Sequence, residues 1–244
     1  MKFTVDYNDL TAFFLVFTRF FAALTCSIGF GENSISGRVR LYVAVFLALI
    51  VYPLVIEKLN ISTFTFMDLW REAVIGVFAG LLVKFFSVAL EVCGTMIATQ
   101  SGLSFASFFS AIFHEQAPIY TMIFNLTGSL LFFILDFDIL FIKMLIATYN
   151  RMNFFAGGDL LTLLAGVLDQ TFRFGVVMAF PFVTAQIAVL VAVGLTNKFT
   201  PQTQLFFIMH PVQILIAFLV ITVTLNSILH LYMDYLRNSI VNLM

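Results

Sequence analysis

Long apolar stretches separated by short polar connectors recur along the whole chain. The apolar runs lie near 10–30, 39–56, 73–98, 118–135, 174–195 and 205–230, with shorter pieces near 139–149 and 160–168. Each long run exceeds the ~17 residues that a helix needs to cross a hydrocarbon core, so the pattern predicts membrane-spanning helices. A transmembrane β-barrel would instead alternate apolar and polar residues in short strands. The connectors "GENSISGR", "EKLNISTFTFMD", "NRMNFFAGGD" and "TNKFTPQTQ" are too short to fold separately. The expectation is one all-α domain over 1–244, a polytopic membrane protein built of helical hairpins. Pro53 closes the second run, Pro118 opens the fourth and Pro201 stands in the last connector, whereas Pro181 and Pro211 fall inside runs and predict kinks.

Composition strengthens the membrane reading. Of 244 residues, 61% are apolar and only 10% charged, against roughly a quarter charged in soluble domains; the mean hydropathy is +1.06. Twelve basic and thirteen acidic residues leave a net charge of −1, which gives no support to nucleic-acid binding or an electrostatic membrane anchor. Basic residues occur in nearly every connector, so the positive-inside rule assigns no orientation. Cys26 and Cys93 sit in apolar segments without a CxxC or nearby His partner and read as packing residues. Asp6 and Asp9 precede the first apolar run and no small-residue cleavage site follows, so that run is expected to be retained.

Charges inside the runs are less ordinary. Arg19 lies in the first, Glu72, Lys84 and Glu91 in the third, Asp136 and Asp138 at the end of the fourth, and Arg173 at the opening of a later one. An ionised group facing lipid at mid-depth costs at least ~2.5 kcal/mol, so these side chains are expected to face protein or water. Lys84 and Glu91 share a helix face but lie about 10 Å apart along it, too far to pair readily. An ion or substrate path is one reading of these charges. The other is pairing across helix or subunit contacts, which their scatter favours. Gly76 and Gly80 form a GxxxG pattern suited to close helix packing.

The stretch "ATQSGLSFASFFSAIFHEQAP" at 98–118 is too polar to cross lipid comfortably and too rich in phenylalanine to rest in water. Gly102, Ser104 and Ala106 superficially match the setting of an intramembrane serine protease, with His210 or His230 as the activating base. The match is only three small residues in a serine-rich stretch. His114 and Glu115 are adjacent rather than spaced for metal ligation, and no Gly-rich phosphate loop follows a strand. No catalytic residues, metal or cofactor are expected. A secondary transporter would show charges converging on a broken helix and an inverted repeat, and neither is evident.

Several motifs resemble the FliR family of flagellar type III export-gate proteins, whose injectisome relative is SctT. In "GLTNKFTPQTQLFFIMHPVQI" (194–214), Gly194, Leu195, Lys198, Pro201, Gln202, Phe206 and Pro211 fit the family signature in order, with Lys198 where arginine is usual. "MAFPF" at 178–182 resembles its Ala-x-Pro segment, "REAVIGVFAG" at 71–80 its Glu and paired glycines, and "GTMIATQSGLSFASF" at 94–108 its Gly-Leu-Ser pattern. Arg19, "GFG", Arg38 and Arg40 also fit. The departures are Ile28 and Ser36, where the family often has proline, and Phe109 and Ser110, where Asp-Pro is usual.

The resemblance implies a non-enzymatic subunit of a secretion channel in the bacterial inner membrane, at the flagellar basal body. Its fold would resemble a fusion of FliP and FliQ, it would assemble with those two subunits, and FlhB and FlhA would lie nearby. Unfolded flagellar proteins would pass through the channel. Helices buried among partners, and raised partly out of the bilayer, could then carry Arg19, Glu72, Lys84 and Glu91. The 98–118 stretch corresponds to a pore plug over about 102–116, formed by Gly102, Leu103, Ser104, Phe105, Ala106, Ser107, Phe108, Phe109 and Phe113. Small residues let such a loop bend, and phenylalanines can fill and dewet a narrow lumen. Gln100 and Gly102 lean towards the flagellar rather than the injectisome branch.

Overall fold

The computed structural model describes residues 7–30, 35–56, 66–102, 118–150, 159–199 and 205–243. Among them are seven α-helices and no strand: α1 Tyr7–Cys26, α2 Gly37–Val55, α3 Phe66–Gln100, α4 Ile119–Ile134, α5 Phe137–Ala147, α6 Asp159–Phe199 and α7 Leu205–Leu243. A 3₁₀ turn, Thr148–Asn150, follows α5. Gly37–Val55, Phe66–Gln100, Leu164–Lys198 and Pro211–Arg237 are long and apolar enough to cross a membrane, and Leu10–Cys26 and Ile119–Ile134 are shorter apolar helices. The chain is an all-α, multi-pass integral membrane protein.

Two boundaries differ from the hydropathy pattern in an instructive way. The runs at 160–168 and 174–195 belong to one helix, α6, so Arg173 lies within it rather than at an opening. Polar residues lower hydropathy without breaking a helix, and Arg173 Nε donates to Asp169 Oδ1 one turn back at 3.1 Å, within an ion pair whose spacing supports the helix. Helix α3 likewise begins at Phe66, seven residues before its apolar run. The true interruption falls between α4 and α5, where Asp136 takes a left-handed conformation (φ 56°) that aspartate tolerates better than most residues.

The chain divides into two compact units. The first comprises residues 1–85 and 132–168, the second 86–131 and 169–244. In the first unit, α2 packs on α1; its buried residues Arg40, Ala44, Ala48, Val51 and Val55 follow a 3–4 spacing that places them on one side, and Arg40 Nε donates to the Phe30 carbonyl at 2.8 Å. Gly76 and Gly80 of α3 face the backbone of α1: a Cβ at Gly76 would collide with the Arg19 carbonyl, and one at Gly80 with that of Ala23. The GxxxG pattern therefore serves a contact within this chain. Gly29, at φ +76°, lies under the ring of Phe133, which Phe30 meets edge-on at 5.6 Å.

The second unit gathers the later part of α3, most of α4, α6 from Asp169 and α7. Ala89, Leu90, Cys93 and Ile97 of α3, Phe124 of α4, Met178 and Phe182 of α6 and Tyr232 of α7 are buried there. A Cβ at Gly175 would stand 2.6 Å from the Ala89 carbonyl oxygen, which sets the close approach of α6 to α3. Near the C-terminal part of α7, Tyr235 stacks on Phe174 (centroids 4.1 Å apart) and its hydroxyl bonds Thr171 at 2.8 Å, while Tyr232 donates to the Phe86 carbonyl at 3.3 Å.

Exposed threonines satisfy their own hydroxyls. Thr127, Thr184, Thr196 and Thr222 each donate to the carbonyl four residues earlier, at 2.7–3.0 Å. A helix facing lipid offers no water for these groups, so back-bonding removes the cost of leaving them unpaired.

Candidate functional site

The strongest polar feature among the described residues is a buried cluster in the first unit. Arg19 of α1 and Glu72 of α3 are 2% and 1% exposed, which makes any unpaired charge there untenable. Arg19 Nε donates to Glu72 Oε2, and its Nη1 donates to Thr148 Oγ1 at 2.8 Å. The ring of Tyr149 covers the guanidinium at 3.5 Å. Thr148 in turn donates to the Leu145 carbonyl at 2.6 Å, tying the cluster to the last turn of α5. One arginine thus joins three elements distant in sequence, using its planar fork for two hydrogen bonds and its face for an aromatic contact. The close packing of Gly76 against α1 brings Glu72 near Arg19, four residues earlier on the same helix. Sequence reasoning identified Arg19 and Glu72 separately; it missed Thr148 and Tyr149, which carry no hydropathy signal.

Lys84 and Glu91 lie on the exposed face of α3. The four intrahelical charges therefore separate into a buried pair and two outward-facing groups.

Helix α3 ends where the 98–118 stretch begins to leave it. Ser101 N–H still donates to the Ile97 carbonyl at 2.9 Å, but Gly102 turns left-handed at φ +75°, a conformation that glycine adopts without Cβ strain and that stops a helix. Leu103, Ser104, Phe105, Ala106, Ser107, Phe108, Phe109 and Phe113, with His114 and Glu115, lie outside the described residues.

The signature at 194–214 straddles two helices. Gly194, Leu195 and Lys198 occupy the exposed end of α6, and a Cβ at Gly194 would meet nothing within 4 Å. Pro201 and Gln202 lie outside the described residues; Phe206 and Pro211 belong to the first turns of α7, with Pro211 exposed. Nearby in sequence, the buried Gln186 side chain donates from Nε2 to the Gln213 carbonyl at 2.9 Å, joining α6 to α7. Neither glutamine stood out in the sequence, because amides in apolar runs resemble tolerated noise until the neighbouring helix is known. Of the residues weighed for a serine protease, His230 is exposed on α7, and the side chains of Ser104 and His210 are not among those described.

The family model described as "Bacterial export proteins, family 1" matches residues 10–239. The chain belongs to this family. Individual relatives agree along nearly their whole length. The flagellar biosynthetic protein FliR of Caulobacter vibrioides is 26% identical over 230 residues, covering 91% of this chain and 92% of that protein. The Escherichia coli K12 protein of the same name is 26% identical over 243 residues, covering 96% and 92%. The Bacillus subtilis protein is 26% identical over 226 residues, covering 89% and 87%. The signature glycine and the Arg19–Glu72 pair of this export-family chain all fall within the matched range.

Proposed function

We propose that this chain is a non-enzymatic subunit of the flagellar type III export gate in the bacterial inner membrane, part of the channel through which unfolded flagellar proteins leave the cytoplasm. The observation that carries this reading is the family match from residue 10 to 239, joined by relatives named as flagellar biosynthetic proteins over nearly full length. Residues 1–244 act as one export-gate domain that assembles with FliP and FliQ, with FlhB and FlhA nearby. Much of each long span faces away from the chain's own core: buried residues make up 22% of the apolar window in Leu164–Lys198 and 17% in Pro211–Arg237. Such surfaces suit helices that complete their packing with partner subunits or lipid.

Residues 102–116 act as the plug. Their composition supports this role: glycine, serine and alanine permit a movable backbone, and Phe105, Phe108, Phe109 and Phe113 can exclude water from a narrow lumen. Gly102 provides a definite departure point from α3. Co-expression of the tagged chain with FliP and FliQ, followed by affinity purification in mild detergent, tests the assembly. A stable complex containing all three is expected; a well-behaved homo-oligomer that excludes both partners would refute the gate assignment.

A further inference from the structure

In the second unit, α6 and α7 are held by the chain's own core along only part of their length. Gln186 is the last buried residue on α6: none of the residues from 187 to 198 is buried, although Ile187, Leu190, Val191 and Leu195 are apolar and each more than half exposed. That stretch extends α6 by about 18 Å. On α7, Pro211 and Val212 are exposed, and Gln213 is the first buried residue among the described side chains. Gln186 and Gln213 therefore mark the base of a projecting tip, and on α6 that tip carries Gly194, Leu195 and Lys198.

The backbone alone leaves the direction of this tip open. Pro181 stands five residues before Gln186, and Pro211 two residues before Gln213. Each proline lacks an N–H and interrupts its helix's hydrogen-bond ladder, which lets the helix bend there. Between the two bendable points lies the Gln186 amide, 3% exposed, whose Nε2 donates to the Gln213 carbonyl at 2.9 Å. The other end of the same amide, Oε1, is buried with no hydrogen-bond donor among the described residues. A buried acceptor without a donor costs stability, and an apolar side chain of the same shape would avoid that cost. The Gln213 carbonyl, being inside α7, has the helix's own ladder to satisfy it without Gln186. Stability therefore does not account for an amide at this position. Geometry does, because a directional bond joins two apolar helices whose surfaces would otherwise slide or part.

We propose that Gln186 is a positioning residue: its amide clamps α6 to α7 at the base of the tip and fixes the direction in which Gly194, Leu195 and Lys198 are held out. A tip held in one direction meets a partner surface without the ordering cost of one that splays. The clamp follows from the geometry of the second unit and does not rest on the gate reading.

Spin labels at Leu195 and Leu215, both exposed, report the separation of the tip from α7 by pulsed electron resonance. They are placed on the full chain in mixed micelles, with Cys26 and Cys93 replaced by alanine. Gln186→Met keeps the length and approximate volume of the side chain and removes both ends of the amide. Its distance distribution should widen at least about twofold, because a segment with few buried contacts opens locally once released. The unfolding midpoint should stay the same or rise, since no buried polar group is left unpaired. Labels at Phe172 and Leu231, at the other end of the hairpin beside the Thr171–Tyr235 bond, should keep their width in the same variant. An unchanged width between Leu195 and Leu215 would overturn the proposal by showing that the amide holds nothing. A lowered midpoint would overturn it by making the amide an ordinary stabilising contact, and widening at both label pairs by showing general loosening.

Discussion

Arg19 and Glu72 are charged side chains with almost no contact with solvent, so each depends on the other for the stability of its ionised form. Replacing Glu72 with alanine leaves the guanidinium in an apolar surround, at an expected cost of ~3–5 kcal/mol. The Arg19→Leu/Glu72→Leu double variant should recover much of that loss, because no buried charge remains. Unfolding midpoints in mixed detergent micelles would show this as strong non-additivity; equal and additive losses would mean that the pair is not coupled. Glycines offer a second contrast. Gly76→Leu forces side-chain volume against the α1 backbone and should cost ~1–3 kcal/mol or more in the same measurement. Gly194 has open space around it, so Gly194→Ala should instead stabilise the isolated chain by ~0.5–1 kcal/mol. If partner subunits pack against this position, the alanine variant will weaken co-purification despite its greater stability. At this scale, the sequence announced the charges through their cost in lipid. It could not reveal Thr148 and Tyr149 as their companions, because an isolated threonine or tyrosine has no penalty that demands a partner.

Helices were legible wherever hydropathy stayed high and less so where polarity interrupted it. Periodicity placed α1, α2 and α4 within a few residues, and Pro118 marked the start of α4 correctly. The gap at 169–173 looked like a boundary because hydropathy measures avoidance of water, not backbone continuity. Asp169, Gln170, Thr171 and Arg173 remain helical, supported by an ion pair one turn apart and by the buried Thr171–Tyr235 bond. Exposed Gln170 tests that continuity, since its side chain has little packing to lose. Gln170→Pro should cost about 3 kcal/mol in the unfolding measurement, as expected inside a helix. A change below about 0.5 kcal/mol, the usual range for surface substitutions, would mean that the backbone there behaves as a linker.

For the whole molecule, composition decided the solvent before any residue was placed: a chain with 61% apolar and 10% charged residues belongs in a membrane. The helical architecture and the export family agree with that reading. The two compact units were not legible, because long helices contribute residues to both and hydropathy carries no record of which helix segments meet. Contacts such as Gly76 with α1 and Gly175 with Ala89 depend on which small residues face each other, and that is fixed only by the fold. The chemistry of the plug follows from the residues at 102–116, but its role depends on a pore that only the assembly completes. Ion leak across the membrane tests the central claim most directly. Cells co-expressing this chain with FliP and FliQ should remain tight when it is intact and become leaky when residues 104–112 are deleted, at matched levels of assembled complex. Equal tightness in both, with the complex intact, would contradict the assignment of "SFASFFSAI" as the seal.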